Sequence, residues 1–270
     1  MILSRRARFA LRAAMVLGLA IVYVPLLVVI TNSFNTSRTF GWPPSGFTLD
    51  WWVRAWQAQG LTDALRTSVV AGCGATAIAV TLGTMAAFAV ARYRFFGRQT
   101  VSFLVLLPIA LPGIVTGIAL NNAFRTVLAP FGIGLGLFTV IVGHATFCVV
   151  VIYNNVLARL RRVGGSLEEA SMDLGAGVGK TFWRVTLPSV RTALVAGGLL
   201  AFALSFDEII VTTFTAGAGV QTLPIWIFAN LFRPNQAPVV NVVAAALIVL
   251  SVLPVWLAQR VGGHSGGGRL

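Results

Sequence analysis

Apolar and polar positions along this chain fall into long apolar blocks separated by short polar stretches. Six apolar runs are long enough to cross about 30 Å of hydrocarbon as helices. They lie at about Ala13–Ile30, Ser68–Ala91, Val101–Leu120, Leu135–Val156, Ala193–Thr213 and Val239–Gln259. Helices are required because lipid offers the backbone no hydrogen-bond partners. The pattern therefore predicts an all-α, polytopic membrane protein, with six transmembrane helices in a single domain over residues 1–270. SRRAR precedes the first run and looks like the n-region of a signal peptide. The run is longer than most h-regions, and PLLVVITNSF offers no A-x-A-like cleavage site, so it is expected to be retained.

Composition agrees. Of 270 residues, 57% are hydrophobic and 10% charged, where a soluble domain carries about 25% charged residues. Mean hydropathy is +0.87. Such a chain lacks the polar surface to stay in water alone. The net charge is +13, from 20 basic and 7 acidic residues. A strongly basic chain raises nucleic-acid binding, but here the basic residues fall at span ends, where they set orientation. No nucleic-acid partner is expected. Fifteen of them lie on one side: Arg5, Arg6, Arg8, Arg12, Arg92, Arg94, Arg98, Arg159, Arg161, Arg162, Lys180, Arg184, Arg191, Arg260 and Arg269. The other side has five: Arg38, Arg54, Arg66, Arg125 and Arg233. The positive-inside rule puts the first set, and with it both termini, in the cytoplasm. Cys73 and Cys148 both sit in apolar runs and read as small buried hydrophobes, with neither a disulfide framework nor metal-ligand spacing.

The outer segment Asn32–Thr67 carries Trp42, Trp51, Trp52 and Trp56. It is read as a short helix lying at the interface, with its Trp side chains at headgroup depth. The stretch Thr222–Pro238 is apolar but too short to span, and is read as a half-inserted or surface helix. Between the fourth and fifth runs lies a polar loop, residues 164–190, which the charge rule makes cytoplasmic. Gly164-Gly165 breaks the preceding helix. Ser166-Leu167-Glu168-Glu169 then has the S-x-x-E form of a capping box, with Ser166 at the N-cap. A first short helix is expected to run to about Leu174, with a sharp turn permitted by Gly175, Gly177 and Gly179. A second is expected at about Lys180–Thr186, stopping at Pro188. GAGVGKT resembles a phosphate-binding loop, but G-x-x-x-x-G-K-[ST] needs Gly where Leu174 stands, and a preceding buried strand. Neither ATP nor NAD binding is expected of this chain, nor any other cofactor or metal.

Glu169-Ala170-Ser171, Gly175 and Val185-x-Leu187-Pro188 resemble the EAA loop of ABC importer permeases: EAA, three residues, Gly, nine residues, then I-x-L-P. The spacing matches throughout, with Ser171 for the third Ala and Val185 for Ile. NSFN (Asn32–Asn35), GFTLDWW (Gly46–Trp52), ARYRFFGR (Ala91–Arg98) and LSFDEIIVTTFTAG (Leu204–Gly217) resemble the second permease of spermidine/putrescine-type importers. The resemblance implies an inner-membrane subunit that pairs with a homologous permease. It also implies two copies of a cytoplasmic ATPase, which hold ATP and magnesium, and an extracytoplasmic substrate-binding protein. Glu169, Ala170, Ser171, Gly175, Leu187 and Pro188 then belong to the element that docks on the ATPase. Glu169 has two readings, as a cap on its own helix or as a contact with the partner. Ala170 suits close approach of a partner surface, and Gly175 reads as a turn residue.

Asp207 and Glu208 are the only carboxylates within an expected span, in its outer half. Ionisable residues there are expensive and mark candidate function. If the substrate is a polyammonium ion, carboxylates on its path replace part of its hydration. They otherwise pair with Arg of a partner permease or sit in outer solvent. Adjacent residues are about 100° apart on a helix, so one at most faces a narrow path. Tyr153, Asn154 and Trp226 are further path candidates. Tyr153-Asn154-Asn155 and Asn121-Asn122 serve equally to bond neighbouring helices, and His144 reads as a helix–helix hydrogen bonder. Pro108 and Pro112-Gly113 are expected to kink the third run, and His264 in the Gly-rich tail is expected to be disordered. The resemblance implies polyamines as the substrate class, with an amino-acid-derived cation, an opine, phosphonate or iron as the alternatives within the importer class. A secondary transporter is disfavoured by the lack of a half-to-half repeat and by few membrane carboxylates. An enzyme is disfavoured by the lack of any nucleophile–base set.

Overall fold

The computed structural model describes residues 4–38, 42–233 and 235–263; His264 lies outside them. Regular structure there is helical, apart from one isolated antiparallel bridge between Asn35 and Phe47. The helices are α1 (Arg5–Asn32), α2 (Asp50–Trp56), α3 (Leu61–Arg92), α4 (Arg98–Ala110), α5 (Gly113–Leu128), α6 (Leu137–Val163), α7 (Ser166–Asp173), α8 (Val178–Thr181), α9 (Leu187–Phe206), α10 (Ile210–Thr215), α11 (Leu223–Leu231) and α12 (Ala237–Gly263). The chain divides into two compact units. One joins α1 and α2 to Ile227–Leu253, and the other is built on Thr62–Trp226.

Four helices are each long and apolar enough to cross a bilayer: α1, α3, α6 and the continuous helix Val178–Phe206. Three of the six expected runs depart from a simple span. The third is bent by 108° between α4 and α5, so it makes a fifth span only if the bent pair counts as one. Pro112 lacks an N–H and forces Leu111 into an extended backbone, ψ 143°. The expected kink is present, and at 108° it is large enough to break the run into two helices. The fifth run, expected unbroken over Ala193–Thr213, stops at Phe206 and restarts at Ile210. The sixth forms α12, whose apolar stretch among the described residues, Ala237–Ser251, is shorter than a span.

In the first unit, the Trp-rich segment is a small folded cap. Asn35 Oδ1 accepts from the N–H groups of Ser37 at 3.0 Å and Ser45 at 3.3 Å. Trp51 Nε1 donates to the Asn35 carbonyl at 2.9 Å, and Trp52 stacks on Phe34 at 5.4 Å between centroids. Trp51 is therefore buried as a packing residue, while Trp42 and Trp56 are exposed.

The second unit is centred on α6, which buries His144, Cys148, Ile152, Tyr153, Val156 and Leu160. Small residues let the other helices approach it closely. A Cβ added at Gly83 of α3 would stand 2.9 Å from the Val149 carbonyl oxygen and Ile152 Cβ. One added at Gly197 of α9 would stand 3.2 Å from Ile152 Cδ1. Cys148 donates to the Ala201 carbonyl at 3.3 Å. Cys73, expected to be buried, is exposed on α3. α11, expected as a half-inserted or surface helix, buries Leu223 and Trp226, and the Leu223 N–H donates to Ser68 Oγ at 2.8 Å.

Candidate functional site

The loop after α6 is set by a handful of contacts. Gly164 ends α6 at φ +72°, a left-handed backbone that favours glycine, and its N–H returns to the Leu160 carbonyl. The capping box expected at Ser166 does not form. Gly165 is the N-cap, without a side-chain bond, and its carbonyl accepts from the N–H groups of Glu168 and Glu169. Helix geometry thus begins one residue early, and Ser166 sits inside the first turn. Arg92, the last residue of α3, secures that turn instead. Its Nε donates to Glu168 Oε2 at 2.7 Å, and its Nη2 donates to Glu168 Oε1 at 3.1 Å and to the Gly164 carbonyl.

Of three glycines expected to make the turn, only Gly175 takes a left-handed backbone, at φ +84°. Gly177 has φ −67° and ψ 160°, which any residue adopts. Ser171 Oγ and Thr181 Oγ1 lie 3.0 Å apart and tie the two arms together. This gives the Ser171 departure from EAA a physical reason, since Ala could not make that bond. The second short helix does not stop at Pro188. A π-helical turn over Phe182–Thr186 pairs the Leu187 N–H with the Phe182 carbonyl, and the helix runs on as α9 with Pro188 in its first turn. The N–H that Pro188 lacks is accommodated by the π-helical turn just before it. Arg159 Nε fastens the exit by donating to the Ser189 carbonyl at 2.9 Å. Glu169, Ala170, Gly175 and Pro188 are exposed, and Leu187 and Ser171 half-buried. Leu174 is 89% exposed, Val178 71% and Trp183 68%, an apolar surface on an otherwise polar loop.

The break in the fifth run is the second polar centre. Glu208 Oε1 accepts from the Val211 N–H at 2.8 Å and so caps α10. Its carbonyl accepts from Thr212 Oγ1 at 2.8 Å. The neighbouring Asp207 is exposed, and its carboxylate makes no hydrogen bond or ion pair among the described residues. The 100° argument fails here because the pair sits between helices. His144, fully buried on α6, bridges the gap: Nδ1 lies 2.7 Å from Ser205 Oγ and Nε2 2.8 Å from Thr212 Oγ1. At the far end of α10, Thr139 Oγ1 donates to the Thr215 carbonyl at 2.7 Å and Asn121 Nδ2 to the Phe214 carbonyl. Gly117 of α5 makes room for Phe214, since a Cβ there would stand 2.6 Å from its ring.

The other path candidates are scattered. Tyr153 is fully buried, with its hydroxyl 2.6 Å from Ser102 Oγ of α4. Asn154, one residue on, is exposed, and Asn155 Nδ2 donates to the Val151 carbonyl. Trp226 is buried on α11. The structure brings none of the three together with Asp207 in a common pocket among the described residues. Sequence reasoning missed Arg92 and Thr139 as anchors. Arg92 had been counted only as an orienting charge, because nothing local marks a carboxylate 76 positions away as its partner.

Long apolar helices packed through glycines, with polar loops and a broken helix held by buried hydrogen bonds, define a polytopic membrane protein. The chain belongs to the family described as "Binding-protein-dependent transport system inner membrane component", whose model matches residues 79–263. It is the membrane component of such a system, not the ATP-hydrolysing one. It is 34% identical over 256 residues to the spermidine/putrescine transport system permease protein PotC of Haemophilus influenzae, covering 94% of this chain and 97% of that one. It is 34% identical over 239 residues to the putrescine transport system permease protein PotI of Escherichia coli strain K12, covering 87% and 84%. Its fold is similar to a chain of a bacterial ABC transporter involved in the import of the acidic polysaccharide alginate. That match has a TM-score of 0.68 at 18% identity, over 98% of this chain and 99% of that one.

Proposed function

We propose that this chain carries polyamines such as spermidine or putrescine across the bacterial inner membrane, as one of two homologous permease subunits. Six crossings with both termini in the cytoplasm are supported by the division of basic residues, fifteen to five, between the two sides. The loop 164–190 docks on a cytoplasmic ATPase, present in two copies, that holds ATP and magnesium, and an extracytoplasmic binding protein delivers the substrate. One observation carries the coupling role. The loop is bonded to itself and to α3, α6 and α9, yet presents Leu174, Val178 and Trp183 outward. Apolar groups presented to water on a rigid mount mark a protein contact. Glu169 and Ala170, exposed on the same loop, are read as part of that contact, with Gly175 making the turn behind it.

The polyamine class is supported by the two relatives and by Asp207. An exposed carboxylate at a helix break in a membrane segment is suited to an ammonium ion that is shedding water. Glu208 is read as structural, because its carboxylate is engaged with α10.

The test is radiolabelled spermidine uptake into proteoliposomes holding this chain with its partner permease, ATPase and binding protein. Uptake should require ATP on the ATPase side. Leu174→Asp should release the ATPase from the membrane fraction and lower uptake at least about 30-fold, the loss expected for a central apolar contact. ATPase activity that needs this chain, but responds only to another solute, would retain the importer reading and discard the polyamine one.

A further inference from the structure

Among the described residues, one polar fastening of the α6–α9 loop leaves its own neighbourhood, beside the apolar ring contact of Phe182 with Phe88 of α3 at 5.6 Å between centroids. Ser171–Thr181 joins the loop to itself, and Arg159–Ser189 joins α6 to α9. Arg92 belongs to α3. One edge of its guanidinium takes both oxygens of Glu168, in the first turn of α7, and the rest faces the Gly164 carbonyl and, at 3.5 Å, the Leu160 carbonyl at the end of α6. A planar fork with five donors can serve a carboxylate and two helix-end carbonyls at once; an ammonium cannot. The ends of α3, α6 and α7 therefore meet on one half-buried cation. α3 is also packed tightly along its length, through Gly83 against α6 and through Gly72, where a Cβ would stand 2.9 Å from the Phe202 ring of α9.

We propose that Arg92 is a positioning residue that carries displacement of the 164–190 loop into α3, so that α3 moves with α6 and α9 when the ATPase cycles. This rests on the coupling role proposed for that loop. Without the Arg92–Glu168 link, a push on α7 reaches α6 and α9 through the chain itself but reaches α3 only through apolar side chains that can slide.

Cys73 supplies the readout, because it is exposed on α3 whereas Cys148 is buried. A spin label on Cys73, in the complete assembly with cysteine-free partners, reports the change in α3 on trapping with ATP and vanadate. In Arg92→Met the ATPase should stay bound while the amplitude of that change falls at least about fivefold, the low end of ordinary coupling between sites. Glu168→Gln should do the same to a lesser degree, and Arg92→Lys should retain part of the amplitude. A purely architectural role would lower the amount of assembled complex and leave the amplitude per complex unchanged, which overturns the proposal. If Arg92→Met does not assemble, Glu168→Gln decides by the same criterion. An unchanged amplitude with the loop still needed for ATPase binding sinks this inference alone. A bound ATPase in Leu174→Asp sinks the coupling role and this inference with it.

Discussion

The 164–190 loop and the break at Asp207–Ile209 are both polar interruptions between apolar helices, and they are built in opposite senses. In the loop, polar groups do the fastening at the edges and apolar side chains face outward. In the break, the fastening groups are buried, and a single carboxylate, Asp207, faces outward. The difference follows from surroundings. On the proposed coupling role the loop lies in water, which satisfies its backbone without help and leaves its outward apolar groups for a partner. A helix break within apolar surroundings must find internal partners for every freed N–H, carbonyl and hydroxyl. His144, Glu208, Thr139 and Asn121 supply them.

This contrast is sharpest at His144. His144→Leu leaves the Ser205 hydroxyl without its partner and removes the bridge across the break. Stability in detergent should fall by about 1–3 kcal/mol, since buried membrane hydrogen bonds are worth about 0.6–1.7 kcal/mol each. Uptake should fall with it, and thermal unfolding of the purified assembly checks the first half. If the melting point is unchanged, the break is not held from α6. Asp207→Asn should behave differently: the fold is kept, and the half-saturating substrate concentration rises about tenfold, equivalent to about 1.4 kcal/mol. An equal loss of stability in both variants would erase the distinction between fastening and outward-facing groups. The smallest effect belongs to the loop. Ser171→Ala removes one half-exposed hydrogen bond and should cost under about 1 kcal/mol, with ATPase binding retained. A large loss there would mean that the two arms are held together far less firmly by the backbone than the geometry indicates.

The two regions were not equally legible beforehand. The loop declared itself through local chemistry. Gly164 and Gly175 mark the turns, and the Glu169-to-Pro188 spacing marks the motif. Its misreadings were also local: Ser166 competed with Gly165 for the cap, and Pro188 fits the start of a continuing helix as well as the end of a short one. The break was hidden. Ala193–Thr213 reads as one apolar run interrupted only by Asp207 and Glu208, and neither proline nor glycine marks the stop at Phe206. What stabilises it comes from α5 and α6, more than 60 positions earlier for His144 and more than 90 for Asn121.

By itself the sequence determined what depends on nearest neighbours and on solvent: the long apolar helices, the turn at Gly175 and the spaced motif of the loop. Hydrophobicity, charge and backbone freedom are properties of a residue and its immediate flanks. Only the tertiary structure decided the 108° turn at Pro112, the interruption after Phe206, the burial of Trp51 and the meeting of Arg92 with Glu168. Each is a choice among locally permitted conformations, made by a partner far away along the chain. A proline allows a kink of any size, an Asp-Glu pair allows a helix to continue or stop, and an arginine at a helix end serves lipid, water or carboxylate alike. Packing selects among them, because a buried polar group left without a partner is costly and most such groups are paired in the folded state.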